Sequence, residues 1–122
     1  MPEFVIQKHT HTNNPAHWDL MLRQGDTLLT WRITVPPEKM HGIPIEAEKI
    51  SDHPLKFLTY QGTVNNGKGN VKIADAGTYE LIERTPDKII ISITGKIINS
   101  VMNLMLIENS LWRLEYQPLT QR

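Results

Sequence analysis

Imidazoles and one carboxylate crowd a short stretch of this chain. Three of its five histidines, His9, His11 and His17, fall within residues 8–19, which end on Trp18 and Asp19. His17 and Asp19 are two residues apart, so on a strand their side chains share a face, and His9 and His11 stand in the same relation. If residues 12–16 form a loop that lets the chain double back, two imidazoles and a carboxylate converge. That donor set suits Mn²⁺, Zn²⁺ or Fe²⁺, and three protein ligands leave positions open for water or substrate. The competing reading is an exposed loop with scattered histidines and an aspartate paired to a neighbouring cation.

A hairpin reading adds the cation. Two strand-like runs, residues 18–22 and 27–35, flank Arg23-Gln24-Gly25-Asp26, a turn signal. If Gly25-Asp26 is a two-residue loop, Gln24 faces Thr27 and Asp19 faces Arg32; a four-residue loop puts His17 opposite Arg32 instead. Either register leaves His17, Asp19, Met21, Thr30 and Arg32 on one face. Trp18, Leu20, Leu22, Leu29, Trp31 and Ile33 form the other, which reads as core. An arginine beside a metal-bound carboxylate is well placed to grip a phosphate oxygen, although a surface ion pair of under about 1 kcal/mol is the plainer role. Arg23 lies further along the same face.

The remaining candidates are weaker. His53 precedes Pro54, which pushes it towards an extended backbone, and a structural histidine is the default for it. His41, beside Gly42, reads as solvated. Asn65-Asn66-Gly67-Lys68-Gly69-Asn70 matches neither a P-loop nor a dinucleotide fingerprint. It reads as a hairpin loop from which Lys68 could reach a nucleic-acid backbone. No nucleophile-elbow serine and no glycosidase-type carboxylate pair stands out.

These side chains need a frame, and the frame reads as β. Short β-branched or alternating runs recur at 4–6, 43–47, 56–62, 71–74, 77–83, 88–95, 101–106 and 110–116, besides the hairpin. Prolines at 36, 37, 44, 54 and 86 break the longer windows, leaving at best one helical turn near 37–41. The expectation is an all-β fold, a small closed or partly open β-barrel of about seven to eight strands with short helical turns. The 122 residues suit one domain over 1–122, with no repeat and no linker. Thirteen Lys+Arg balance thirteen Asp+Glu, which argues against a partner held by bulk charge but permits engagement of a single strand end. The chain has no cysteine, so disulfides, thiolate metal sites and thiol catalysis are excluded. Without a signal-like N-terminus or a run of about eighteen apolar residues, a cytoplasmic location and no membrane contact are expected.

Taken in order, Phe4-Val5-Ile6-Gln7-Lys8-His9, His17-Trp18-Asp19-Leu20-Met21-Leu22, Leu29-Thr30-Trp31, Asp52-His53-Pro54-Leu55, Tyr60-Gln61-Gly62 and Gly77-Thr78-Tyr79-Glu80 resemble the 3′-phosphoesterase domain of bacterial DNA ligase D. The resemblance is clearest over residues 4–83 and looser towards Trp112. It implies a small β-barrel whose metal, commonly Mn²⁺, is held at His9, His17 and Asp19. It also implies that His53 meets the scissile phosphate or its surroundings. The implied activity is removal of a 3′-phosphate or a 3′-terminal ribonucleotide from a primer strand before ligation. Implied partners are DNA or RNA/DNA primer–template 3′ ends, with a separately encoded ligase or polymerase; the protein itself is expected as a monomer. Arg23, Arg32 and Lys68 are the candidate phosphate or nucleic-acid contacts.

Three departures from the family pattern stand out. Met21 replaces the family's arginine two residues after the aspartate, and Phe57 replaces a tyrosine four residues after the His-Pro histidine. The His9-to-His17 gap exceeds the family spacing, which His11-to-His17 matches, so His11 is an alternative ligand unless the chain bulges. Losing one such phosphate-stabilising group typically costs ~10²–10³-fold in rate. Arg32 is the expected substitute. The alternative function is a catalytically impaired relative that binds metal and nucleic-acid ends beside a ligase.

Overall fold

A computed structural model of the chain describes residues 1–40 and 42–118; His41 and its expected solvation lie outside the described residues. The strands are β1 (Glu3–His11), β2 (Asn14–Gln24), β3 (Thr27–Ile33), β4 (Ile45–Pro54), β5 (Gly62–Val64), β6 (Gly69–Thr85), β7 (Lys88–Gly95), β8 (Asn99–Glu108) and β9 (Leu111–Pro118). All neighbours pair antiparallel in the order β1-β2-β3-β4-β9-β8-β7-β6, and β6 returns to β1. The expected all-β architecture is therefore present as a closed ring of eight strands, with β5 attached to the start of β6. Closure removes the unpaired edges that an open sheet would expose. Among the described residues, no helix is long and apolar enough to cross a membrane.

The pleat sorts the residues. Phe4, Ile6, Leu20, Leu22, Trp31 and Ile33 point into the ring and join Ile45, Ala47, Ile91, Ile93, Leu104 and Leu114 in the main core. Alternate positions on β1–β3 face outward, where Val5, Met21 and Leu28 form a second, smaller apolar cluster. Leu55, Phe57 and Leu58 pack over it from the connection between β4 and β5.

That connection departs from expectation. The run 56–62 alternates like a strand, yet Leu55–Leu58 is a 3-10 turn and β5 starts only at Gly62. The cause lies beneath it. Gln7, buried on the outer face of β1, donates from Nε2 to the carbonyls of Phe57 and Tyr60, both at 2.9 Å. One amide holding two carbonyls three residues apart draws this segment into a turn over β1. The expected strands 71–74 and 77–83 merge into β6, whose pairing with β1 shifts register between Ile6 and Gln7. The single turn expected near 37–41 is present at Pro37–Lys39.

Candidate metal centre

The β2–β3 hairpin has the two-residue loop: Gln24 pairs with Thr27, Met21 with Thr30, and Asp19 with Arg32. On the other side of β2, Val5 pairs with Met21, Gln7 with Asp19, and His9 with His17. Cross-strand partners share a face, so the outer surface carries three rungs. They are apolar at Val5–Met21, polar at Gln7–Asp19–Arg32, and imidazole at His9–His17.

The turn that closes β1 onto β2 is tighter than expected, because His11 already pairs with Asn14. One irregularity between His9 and His11 absorbs the extra length. It keeps His9, not His11, in line with His17. His11 instead approaches Asn14 Nδ2 at 3.5 Å and lines a neighbouring cleft with Lys68 and Thr12.

His9 Nδ1 and His17 Nε2 are 2.9 Å apart, and His17 Nε2 lies 3.7 Å from Asp19 Oδ1. One donor atom each from His9, His17 and Asp19 fits within 4.8 Å. Two ligands about 2.1 Å from a shared ion stand roughly 3.0–3.4 Å apart, so the observed separations straddle what a cation requires. The donor types also fit: two imidazoles and a carboxylate, with an open side for further ligands. His9 Nε2 is buried without a hydrogen-bond partner and faces Gly69, where any Cβ would come within 2.8 Å of it. The glycine leaves room for this ring.

Electrostatics favours the binding-competent form. Burial lowers the pKa of both His9 and His17; the Asp19 carboxylate opposes this, and the Arg32 guanidinium reinforces it. Both rings are thus held neutral near pH 7, as a metal ligand must be. Arg32 Nε donates to Asp19 Oδ1 at 3.3 Å, with its side chain 38% exposed. The guanidinium therefore fixes the carboxylate and still reaches solvent.

A cleft of about 190 Å³ opens over these groups, lined by His9, Asp19, Arg32, His53, Phe57 and Asn65, among others. His53 enters from β4, opposite Leu28, and its ring meets Phe57 edge-on at 5.6 Å. Its Nδ1 donates to the Ser51 carbonyl at 3.1 Å, which requires the proton there and leaves Nε2 as the free acceptor of the neutral ring. Arg23 is not brought to this cleft. It pairs with Glu3 at 3.1 Å, while its carbonyl accepts from the Tyr79 hydroxyl at 2.7 Å. Gln7, Gly69 and Asn65 were missed in the sequence. Gln7 alone left a signal, being in period-two phase with His9.

A closed antiparallel ring with an outward-facing His–His–Asp cluster and an arginine beside it defines a small all-β protein built around a candidate three-ligand metal centre. Residues 7–108 match the family described as the DNA ligase D 3′-phosphoesterase domain, and the chain belongs to that family. No curated protein matches the chain significantly.

Proposed function

We propose that this protein is a metal-dependent 3′-end-healing phosphoesterase, removing a 3′-phosphate or a 3′-terminal ribonucleotide from a DNA primer strand during repair. The observation that carries the reading is the His9–His17–Asp19 cluster beside a cleft that His9, Asp19, Arg32 and His53 line, in a chain of this family. His9, His17 and Asp19 would hold Mn²⁺, with Zn²⁺ or another divalent transition metal as alternatives. The bound ion would supply Lewis acidity towards a phosphate oxygen.

The chain's own groups do the rest. Arg32 keeps Asp19 oriented and offers its remaining N–H groups to a non-bridging phosphate oxygen. His53, with its proton fixed on Nδ1, presents Nε2 to hydrogen-bond the phosphate or, when protonated, to hand a proton to the leaving oxygen. Lys68, which lines a cleft with His11, would meet the strand backbone. Balanced net charge accords with a partner engaged at one 3′ end, on DNA or an RNA/DNA primer–template, with a DNA ligase acting after it. A monomer working in the cytoplasm would suffice for this chemistry.

One observation favours a second reading, a relative that binds metal and strand ends without turnover. Met21 is fully buried in the small outer cluster, and Phe57 packs against the same cluster. Both departures from the family pattern thus replace polar groups with one apolar floor. The deciding assay follows phosphate release from a 3′-phosphorylated primer–template with chelator, then with added Mn²⁺. Release lost with chelator, restored by Mn²⁺ and absent in His17→Ala supports the enzyme; Mn²⁺ binding without any release supports the second reading.

A further inference from the structure

A larger cavity lies on the other side of the sheet from this cleft. It occupies about 450 Å³ at one end of the ring and is lined by Trp31, Trp112, Lys49, Arg84, Thr85 and Ile89, among others. Its floor is aromatic: the Trp31 and Trp112 rings meet edge-to-face with centroids 5.6 Å apart. Its cations are there by register. Lys49 pairs with Trp31 and continues the inward row of Ile45 and Ala47, and Arg84 pairs with the buried Ile89. Inward-facing positions at the end of a core row normally carry apolar or neutral side chains, and charges there serve to cap the end or to receive a ligand.

Two details favour a ligand. Arg84 is exposed and makes no ion pair among the described residues, whereas Lys49, at 5.4 Å over the Trp31 ring, donates to the Ile50 carbonyl at 2.9 Å and meets Asp52 at 3.5 Å. Trp31, which lines this cavity from beneath, is fully buried and its Nε1 has no hydrogen-bond partner. Indole floors take planar rings, and paired cations at the rim take phosphate. The volume lies within the range of small-molecule sites.

We propose that this end of the ring is a second binding site, for a nucleoside monophosphate unit. The base lies against Trp112, with the buried Trp31 ring behind it, and the phosphate meets Arg84 and Lys49. The unit is either a free mononucleotide or an unpaired nucleotide of a strand. The site does not depend on the phosphoesterase reading, because adjacent residues of β3 serve the two places: Trp31 inward here, Arg32 outward there.

Tryptophan fluorescence of the full chain, titrated with dAMP, tests it. The expected result is saturable quenching, with deoxyadenosine alone and inorganic phosphate alone each binding at least about tenfold more weakly. Arg84→Ala should weaken dAMP about tenfold, the loss typical of one charge-assisted contact, and Lys49→Met should shift affinity in the same direction. His17→Ala and chelator should leave dAMP binding unchanged. A duplex with a single-stranded tail that competes with dAMP, where a blunt duplex does not, identifies a strand nucleotide; competition by neither identifies the free mononucleotide. Absence of saturable quenching, equal affinity in Arg84→Ala, or loss of binding in His17→Ala would overturn the proposal.

Discussion

His9 and His17 stand directly opposite one another on β1 and β2, with ring nitrogens 2.9 Å apart, and Gly69 backs the far side of the His9 ring. The glycine's missing side chain is therefore part of the site. Gly69→Ala sets a methyl 2.8 Å from His9 Nε2 and 3.1 Å from Val64 Cγ2, so the imidazole must shift. The expected outcome is Mn²⁺ affinity reduced about 10–100-fold, as when a ligand's support is removed, with the far-UV spectrum unchanged. Calorimetric Mn²⁺ titration of the two proteins checks it; equal affinities would show that His9 needs no such room.

Arg32 is asked to hold Asp19 and to meet phosphate. Arg32→Lys keeps the charge but loses the planar fork, and Arg32→Ala loses both. Phosphate release should fall about 10–100-fold in the alanine variant and less in the lysine variant. If kcat is unchanged in Arg32→Ala, the arginine has no part in the reaction.

Much of this centre is legible in the sequence. The phase of His17, Asp19, Met21, Thr30 and Arg32 follows from strand alternation and a two-residue Gly-Asp turn, both local properties. The choice between His9 and His11 was not legible, because it turns on a ladder irregularity that sequence spacing does not encode. The turn at Leu55–Leu58 was hidden for a similar reason. Its alternating pattern is overruled by Gln7, some fifty residues earlier in the chain. Asp75 went unread because its partners are backbone groups of another strand end.

That aspartate yields a stability prediction. Its carboxylate accepts from the backbone N–H groups of Ala76, Lys96, Ile97 and Ile98 at 2.8–3.2 Å, closing the turn after β7. Asp75→Ala leaves these donors without an acceptor, at about 1–3 kcal/mol for each one that stays buried. A loss of roughly 3 kcal/mol would lower the thermal midpoint by about 10 °C. A shift under about 2 °C would mean the turn holds without it.

Tyr79 gives the chain an alkaline limit. Burial raises its pKa, with Arg84 pulling weakly the other way. The folded value thus exceeds the unfolded one, so this contribution is intact below about pH 10 and is lost as pH climbs from there through the folded value. Denaturant midpoints measured across that window should fall more steeply for the natural chain than for Tyr79→Phe. Parallel curves would contradict the assignment.

The central claim is that His9, His17 and Asp19 share one cation. The most direct measurement is Mn²⁺ binding to chelator-treated, tag-free protein, followed by electron paramagnetic resonance. One ion bound per chain, and none in His17→Ala or Asp19→Ala, is the predicted result. No bound ion in the natural chain, or stoichiometric binding that survives both substitutions, would contradict it.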